Sequence, residues 1–177
     1  MIEDRNKKLW TIFQKSEEKF LRRRAGLFDF SRYTKKDVEE LIRFMRSMMV
    51  KHHGVGLSAN QIGLDMQVFV AQLPAADGKG YTGKFYAIFN PTLTILSKKE
   101  KSDQEGCLSV PGYFGETSRS DRVEVKGFDK NKRPIVIKAS GFLARIFQHE
   151  CDHLNGKLFT DNAKHVVKVD ETTVTNI

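Results

Sequence analysis

Near the end of a 177-residue chain, His149, Glu150 and His153 stand as His-Glu-x-x-His. On a helix, residues four apart lie about 40° apart around the axis. The two imidazoles therefore share one face, one turn from each other. Such a pair can bind one metal ion, and the glutamate between them is placed to take a proton from a water that the metal acidifies. The flanking sequence supports the helix. Ser140-Gly141 offers a start, Phe142, Leu143, Ile146, Phe147 and Leu154 form an apolar stripe, and Gly156 offers a stop.

A catalytic metal takes about three protein ligands and keeps one position open. Asp152 and Cys151 are nearest in sequence, but Cys151 lies about 200° around the helix from His149 and reads as packing. Thermolysin-like enzymes use a glutamate well downstream. The sole candidate after His153 is Glu171, in a segment without helical pattern. Metzincins place a third histidine at the motif's end, where this chain has Leu154-Asn155-Gly156-Lys157, and His165 is twelve residues on. The other cysteine, Cys107, sits upstream in Glu105-Gly106-Cys107-Leu108-Ser109-Val110-Pro111-Gly112, where Gly and Pro shape a bend that could present a thiolate. One Cys and two His with a water would complete a four-coordinate site. A further stretch, Gly54-Val55-Gly56-Leu57-Ser58-Ala59-Asn60-Gln61, has glycines that let backbone approach a ligand and an amide, Gln61, able to donate to an oxyanion. It lacks the context of a dinucleotide fingerprint or a P-loop.

The elements that must hold these residues follow from periodicity. Thr34 caps a helix, with Asp37 three residues on, and Val38, Leu41, Ile42, Met45, Met48 and Met49 recur at helical spacing towards Gly54. The methionines read as core packing. Strands are expected over 66–71, 86–89 and 93–96, with a Gly-rich loop over 73–83 and a charged loop over 98–104. Val123–Phe128 and 134–139 should form a hairpin around Asp129-Lys130-Asn131-Lys132. Residues 1–15 and 163–177 read as peripheral, the latter as a strand or loose tail. Several strands with two strong helices indicate an α+β fold of mixed or antiparallel sheets around the His-Glu-x-x-His helix, in a single domain over 1–177.

Bulk properties bound the setting. No apolar run reaches membrane-span length, and the start carries no secretory pattern. Two cysteines suggest no disulfide framework, so a cytoplasmic location is expected. Thirty Lys and Arg against twenty-two acids give a net charge of +8. Such a surface attracts RNA or other polyanions at long range, yet no sequence-specific nucleic-acid motif is present.

In this order, the three stretches resemble the peptide deformylase family: Gly-x-Gly-x-x-x-x-Gln at 54–61, Glu-Gly-Cys-Leu-Ser at 105–109 and Gln-His-Glu-x-x-His at 148–153. The likeness extends through Asn90-Pro91, Val110-Pro111-Gly112, Gly141–Arg145 and Leu158-Phe159, over roughly 16–161. The resemblance implies one divalent metal held by Cys107, His149 and His153. Iron(II) is the expected ion, with zinc, nickel or cobalt able to take its place. It also implies removal of the formyl group from N-terminal formylmethionine of nascent peptides. Glu150 would carry the proton, and Gln61 with the Leu108 N–H would stabilise the oxyanion. The peptide would pair with Gly54-Val55-Gly56 and the segment at Gly106, its methionine facing Val55, Phe142 and Ile146. Arg119 and Asp152 are expected to steady the helix. Ser58 and Asn60 stand where Ala and Thr are common, and Phe114 stands where many relatives carry Arg. The ribosome is a candidate partner through the basic surface. A metallopeptidase or other deacylase, or a silent peptide- or ribosome-binding homologue, remain the alternatives.

Overall fold

The computed structural model describes residues 8–169. The expectations for 1–7 and 170–177, Glu171 included, lie outside them. Three α-helices occur among the described residues: α1 (Lys15–Leu21), α2 (Lys35–Lys51) and α3 (Gly141–Leu154). The strands are β1 (Gly56–Ser58), β2 (Val68–Pro74), β3 (Tyr81–Ile95), β4 (Glu100–Gly106), β5 (Tyr113–Ser120), β6 (Arg122–Phe128), β7 (Pro134–Ser140) and β8 (Lys164–Lys168). They form a five-stranded sheet in the order β1-β2-β3-β6-β7 and a three-stranded sheet in the order β4-β5-β8. Every pairing is antiparallel, as an α+β chain with short hairpin connections favours.

The helices form where sequence pattern and caps agree. Thr34 accepts from the Asp37 N–H while Asp37 accepts from the Thr34 N–H. This reciprocal cap starts α2, and Met45, Met48 and Met49 lie on its buried side with Val38 and Leu41. They pack with Leu57, Val68, Val70 and Phe89. Truncating one such fully buried side chain to alanine typically costs about 2–5 kcal/mol. The buried face of α3 places Ala144, Ile146, Phe147, Cys151 and Leu154 against Phe69, Ile88, Val123 and Val125. Helix α3 also touches β5, so it links the two sheets.

The structure departs from the sequence reading in several places. The strands expected at 86–89 and 93–96 are one strand, β3, with a register shift between Phe89 and Thr92. Asn90 takes φ 49° at that bulge, and its side chain brackets Phe28 by accepting from the Phe28 N–H and donating to its carbonyl. The loop expected over 73–83 shrinks, because β2 runs to Pro74 and β3 starts at Tyr81. The charged stretch expected to be a loop over 98–104 contains β4, an edge strand paired in register with β5. Strand β5 itself was not expected. The N-terminal region adds α1, and the tail provides β8 at the other edge of the small sheet.

Candidate metal centre

Two elements deliver the chemistry. Helix α3 carries His149, Glu150 and His153, and the bend after β4 carries Cys107. The Cys107 Sγ lies 3.1 Å from His153 Nε2, which lies 3.2 Å from His149 Nε2. One ligand atom from each of the three lies within 4.8 Å of the others. Neighbouring donors in a tetrahedral site of this type stand roughly 3.5 Å apart. The residues therefore fit a divalent ion. Two imidazoles and a thiolate suit several first-row metals without choosing among them.

Electrostatics point the same way. Burial opposes charge on His149, but Cys107 and Glu105 outweigh it and raise its pKa. Burial and the neighbouring His149 lower that of His153. The thiol and the carboxylate beside His149 favour positive charge there, which a bound cation would supply. Cys151, by contrast, is buried, faces the core and has its thiol pKa pushed up by burial.

His149 is aimed from behind. Its Nδ1 lies 3.2 Å from Glu105 Oε2, a contact that turns Nε2 towards the cluster. Glu105 is held in turn by Arg119, through Nε and Nη2 at 3.0 Å each, and by Arg145 Nη1 at 2.6 Å. Burial works against the Glu105 charge. His149 and Arg119 overcome it and hold the carboxyl well below the usual carboxylate range. Arg119 continues to Asp152, and Arg145 also donates to Thr117 Oγ1 at 2.7 Å. Gln148 donates to the Ser120 carbonyl at 2.9 Å and accepts from the Ser120 N–H at 3.1 Å, locking α3 to the end of β5. His153 is held differently. Asn60 Nδ2 donates to its carbonyl at 2.6 Å, while its Nδ1 is buried without a partner.

Glu150 is buried under β1. Ser58 Oγ donates to its Oε2 at 2.7 Å. Oε1 lies beneath Gly56, where a Cβ would stand only 2.3 Å from it. Burial pushes the Glu150 pKa up to about 7, with His149 and Ser58 partly offsetting the rise. Gln61 follows in the 3-10 turn Ala59–Ile62. Its Oε1 accepts from the Ser58 N–H at 2.8 Å. A backbone N–H can only donate, so the Gln61 NH₂ must be the end facing Cys107 Sγ, 3.7 Å away, and Ser109 Oγ, 3.2 Å away.

A sequence model of the polypeptide deformylase family matches residues 11–169. The chain belongs to this family. The peptide deformylase of Carboxydothermus hydrogenoformans is 42% identical over 132 residues, covering 75% of this chain and 81% of that protein. That of Pelotomaculum thermopropionicum is 40% identical over 134 residues, covering 76% and 81%. The peptide deformylase of Synechococcus elongatus, solved in complex with actinonin, superposes with a TM-score of 0.76 at 33% identity over 89% of this chain and 79% of that one. The Acinetobacter baumannii enzyme, solved with Met-Ala-Ser bound, gives 0.78 at 27% identity over 88% and 96%.

The remaining expected residues are placed as follows. Gly56 begins β1, Gly106 ends β4, and Gly54 packs on Leu108. Ile146 is buried and Val55 packs against the same cluster, whereas Phe142 is 48% exposed. The Phe114 ring covers Gly106, 2.6 Å from where a Cβ would stand. Ser58, read as a mild replacement, touches Glu150. The roles of Glu105 and Arg145 behind His149 were not foreseen. Their one signal was a glutamate two residues before Cys107 and an arginine four residues before His149.

Proposed function

We propose that this chain removes the formyl group from the N-terminal formylmethionine of nascent polypeptides and releases formate. The observation that carries this reading is the convergence of Cys107, His149 and His153 beside a buried Glu150 and an inward-facing Gln61 amide, in a chain of the polypeptide deformylase family. Residues 1–177 would act as one catalytic unit in the cytoplasm, with iron(II) the expected resident ion. A divalent ion held by those three side chains, with the His-Glu-x-x-His helix at its centre, would polarise the formyl oxygen and acidify the attacking water.

The protein's own groups do the rest. Oε1 of Glu150, the oxygen not engaged by Ser58 Oγ, takes the proton from the attacking water and later hands it to the leaving amine. A pKa near neutrality suits both halves of that task. The Gln61 Nε2–H and the Leu108 N–H donate to the oxyanion as the formyl carbon becomes tetrahedral, and one such donor is typically worth about 3–4 kcal/mol.

Binding rests on the edge of β1. Strand β1 has β2 on one side only. The Val55 carbonyl accepts from the Gln72 N–H, while the Ser58 N–H turns the other way, to Gln61. Ladder groups alternate sides, so the Gly56 N–H and C=O face the open edge with Ser58. An extended peptide can pair there, by strand addition, with its end next to Glu150. Gly106 closes the second open edge, β4. Val55 and Ile146 offer apolar walls for the methionine, with Phe142 at the outer rim. The net charge of +8 supports an encounter with the ribosome, whose RNA is polyanionic.

The test uses iron-loaded protein with formyl-Met-Ala-Ser, Met-Ala-Ser and an internal peptide. Formate release from the first alone is expected. Cleavage of the internal peptide would make the protein a peptidase, and no turnover with iron bound would leave it a binding protein.

A further inference from the structure

We propose that the N-terminal strap, residues 9–13, is a positioning device for the two donor loops. This rests on the reading of Gln61 and Leu108 as donors to the oxyanion. The Trp10 N–H donates to the carbonyl of Gln61 at 2.8 Å, and the Ile12 N–H donates to the carbonyl of Ser109, the residue after Leu108, at 3.0 Å. Two N–H groups, two residues apart, therefore join loops that lie 48 residues apart in sequence. The same loops are bridged on the inner side by Gln61 Nε2 and Ser109 Oγ, so the strap and the catalytic amide fix one spacing from two sides.

The strap is itself held at Trp10, Thr11 and Ile12. The Trp10 ring lies on Gly63, where a Cβ would stand 2.6 Å from ring carbons, and meets Phe20 edge-on with centroids 4.8 Å apart. The indole N–H is buried without an acceptor, an unfavourable arrangement that ring packing outweighs. The Thr11 N–H donates to Glu17 Oε2 at 2.8 Å, and Glu17 is a buried acid paired with Lys8. Ile12 packs against Val110, Leu158 and Phe159, a cluster that also carries Cys107. Oxyanion donors act only when aimed at the developing charge, so loosening the strap disorients Gln61 and Leu108 without removing a ligand or a peptide contact.

The experiment compares Trp10→Ala, Ile12→Pro, Trp10→Phe and Gln61→Ala, each metal-loaded, for kcat and KM on formyl-Met-Ala-Ser, metal per chain and thermal midpoint. Ile12→Pro deletes the N–H that holds Ser109, and Trp10→Ala removes the plate on Gly63. Both should lower kcat by about tenfold, part of the roughly hundredfold that a 1 Å misplacement costs, with KM and metal content unchanged. Trp10→Phe should restore most of kcat. If Gln61→Ala loses kcat while both strap variants keep it below their midpoints, the strap is merely structural and the proposal falls. If Gln61→Ala keeps kcat, the donor reading falls and takes the proposal with it. Should the strap variants misfold, Glu17→Ala, which frees Thr11 and Lys8 but leaves the Trp10 and Ile12 N–H groups in place, decides: lowered kcat supports positioning and unchanged kcat overturns it.

Discussion

Gly56→Ala tests the proton path at its narrowest point. The added methyl carbon would stand 2.3 Å from Glu150 Oε1, 2.8 Å from its Cδ and 3.0 Å from its Cγ. That is roughly 1 Å short of ordinary carbon–oxygen contact. Neither side yields easily. Gly56 is tied into β1 opposite Ala71, and the carboxylate is buried and held by Ser58 Oγ at 2.7 Å. Glu150 must therefore swing by about the missing ångström, breaking the Ser58 contact or tilting Oε1 away from the attacking water. A misplacement of that size costs on the order of a hundredfold in rate, or about 2.7 kcal/mol. Overpacking should also cost about 1–3 kcal/mol of stability. Formate release from formyl-Met-Ala-Ser, metal content and a urea melt separate these effects. The expected result is a roughly hundredfold fall in kcat with full metal occupancy, because the three atoms nearest the new methyl all belong to Glu150. Turnover within about threefold of wild type in a folded, metal-loaded variant would mean that Glu150 does not work from this position, and the assigned proton role would be wrong.

Other perturbations follow from the same contacts. Glu150→Ala should keep the metal and lose the chemical step; near-normal formate release would sink its role. Glu105→Gln should weaken metal retention by about 10–100-fold, measured by competition with a chelator, because His149 loses its orienting partner. It should also cost about 3–5 kcal/mol in a urea melt at pH 7, since Arg145 is left buried without a carboxylate and Arg119 keeps only Asp152. The pH dependence has a definite sign. Burial raises the Glu105 pKa, but His149 and Arg119 outweigh it, so the folded value lies below the unfolded one of about 4.3. Its stabilisation is present above that unfolded pKa and drains away as pH falls towards the folded one. The wild-type urea midpoint should therefore drop steeply below about pH 4.3, and the drop should be shallower in Glu105→Gln. Cys107→Ser should lose the metal on dialysis, whereas Cys151→Ala should keep it and retain turnover; metal analysis of both settles whether the thiol inside the helix motif is packing alone.

How much of this was legible in the sequence depends on what each residue answers to. Helix α2 was readable because its cap and its methionine stripe are local and agree with the packing they meet. His149 and His153 were readable because four residues along a helix fix a shared face. Cys107 could be suspected from sequence but not placed, since nothing local records that β4 ends beside α3. Strand β3 was split in two because Asn90-Pro91 reads as a break. In the structure it is a bulge, with Asn90 bonded to Phe28, 62 residues away.

The largest misreading was also the most consequential. Glu100–Gly106 looks like a loop because nearly every side chain is polar and most are exposed. An edge strand can be written this way, since its partner supplies the backbone hydrogen bonds and solvated charges discourage further pairing. One residue in the run breaks the pattern. Glu105 is buried, and its register opposite Gly115 turns it inward. There it meets two arginines that arrive from β5 and α3 and the ring of His149. Strand β4, whose first residues were read as a charged loop, thus supplies at its end the carboxylate that aims His149 and leads directly into Cys107. Two separate elements, α3 and β4, have to fold together before the three donors face one another.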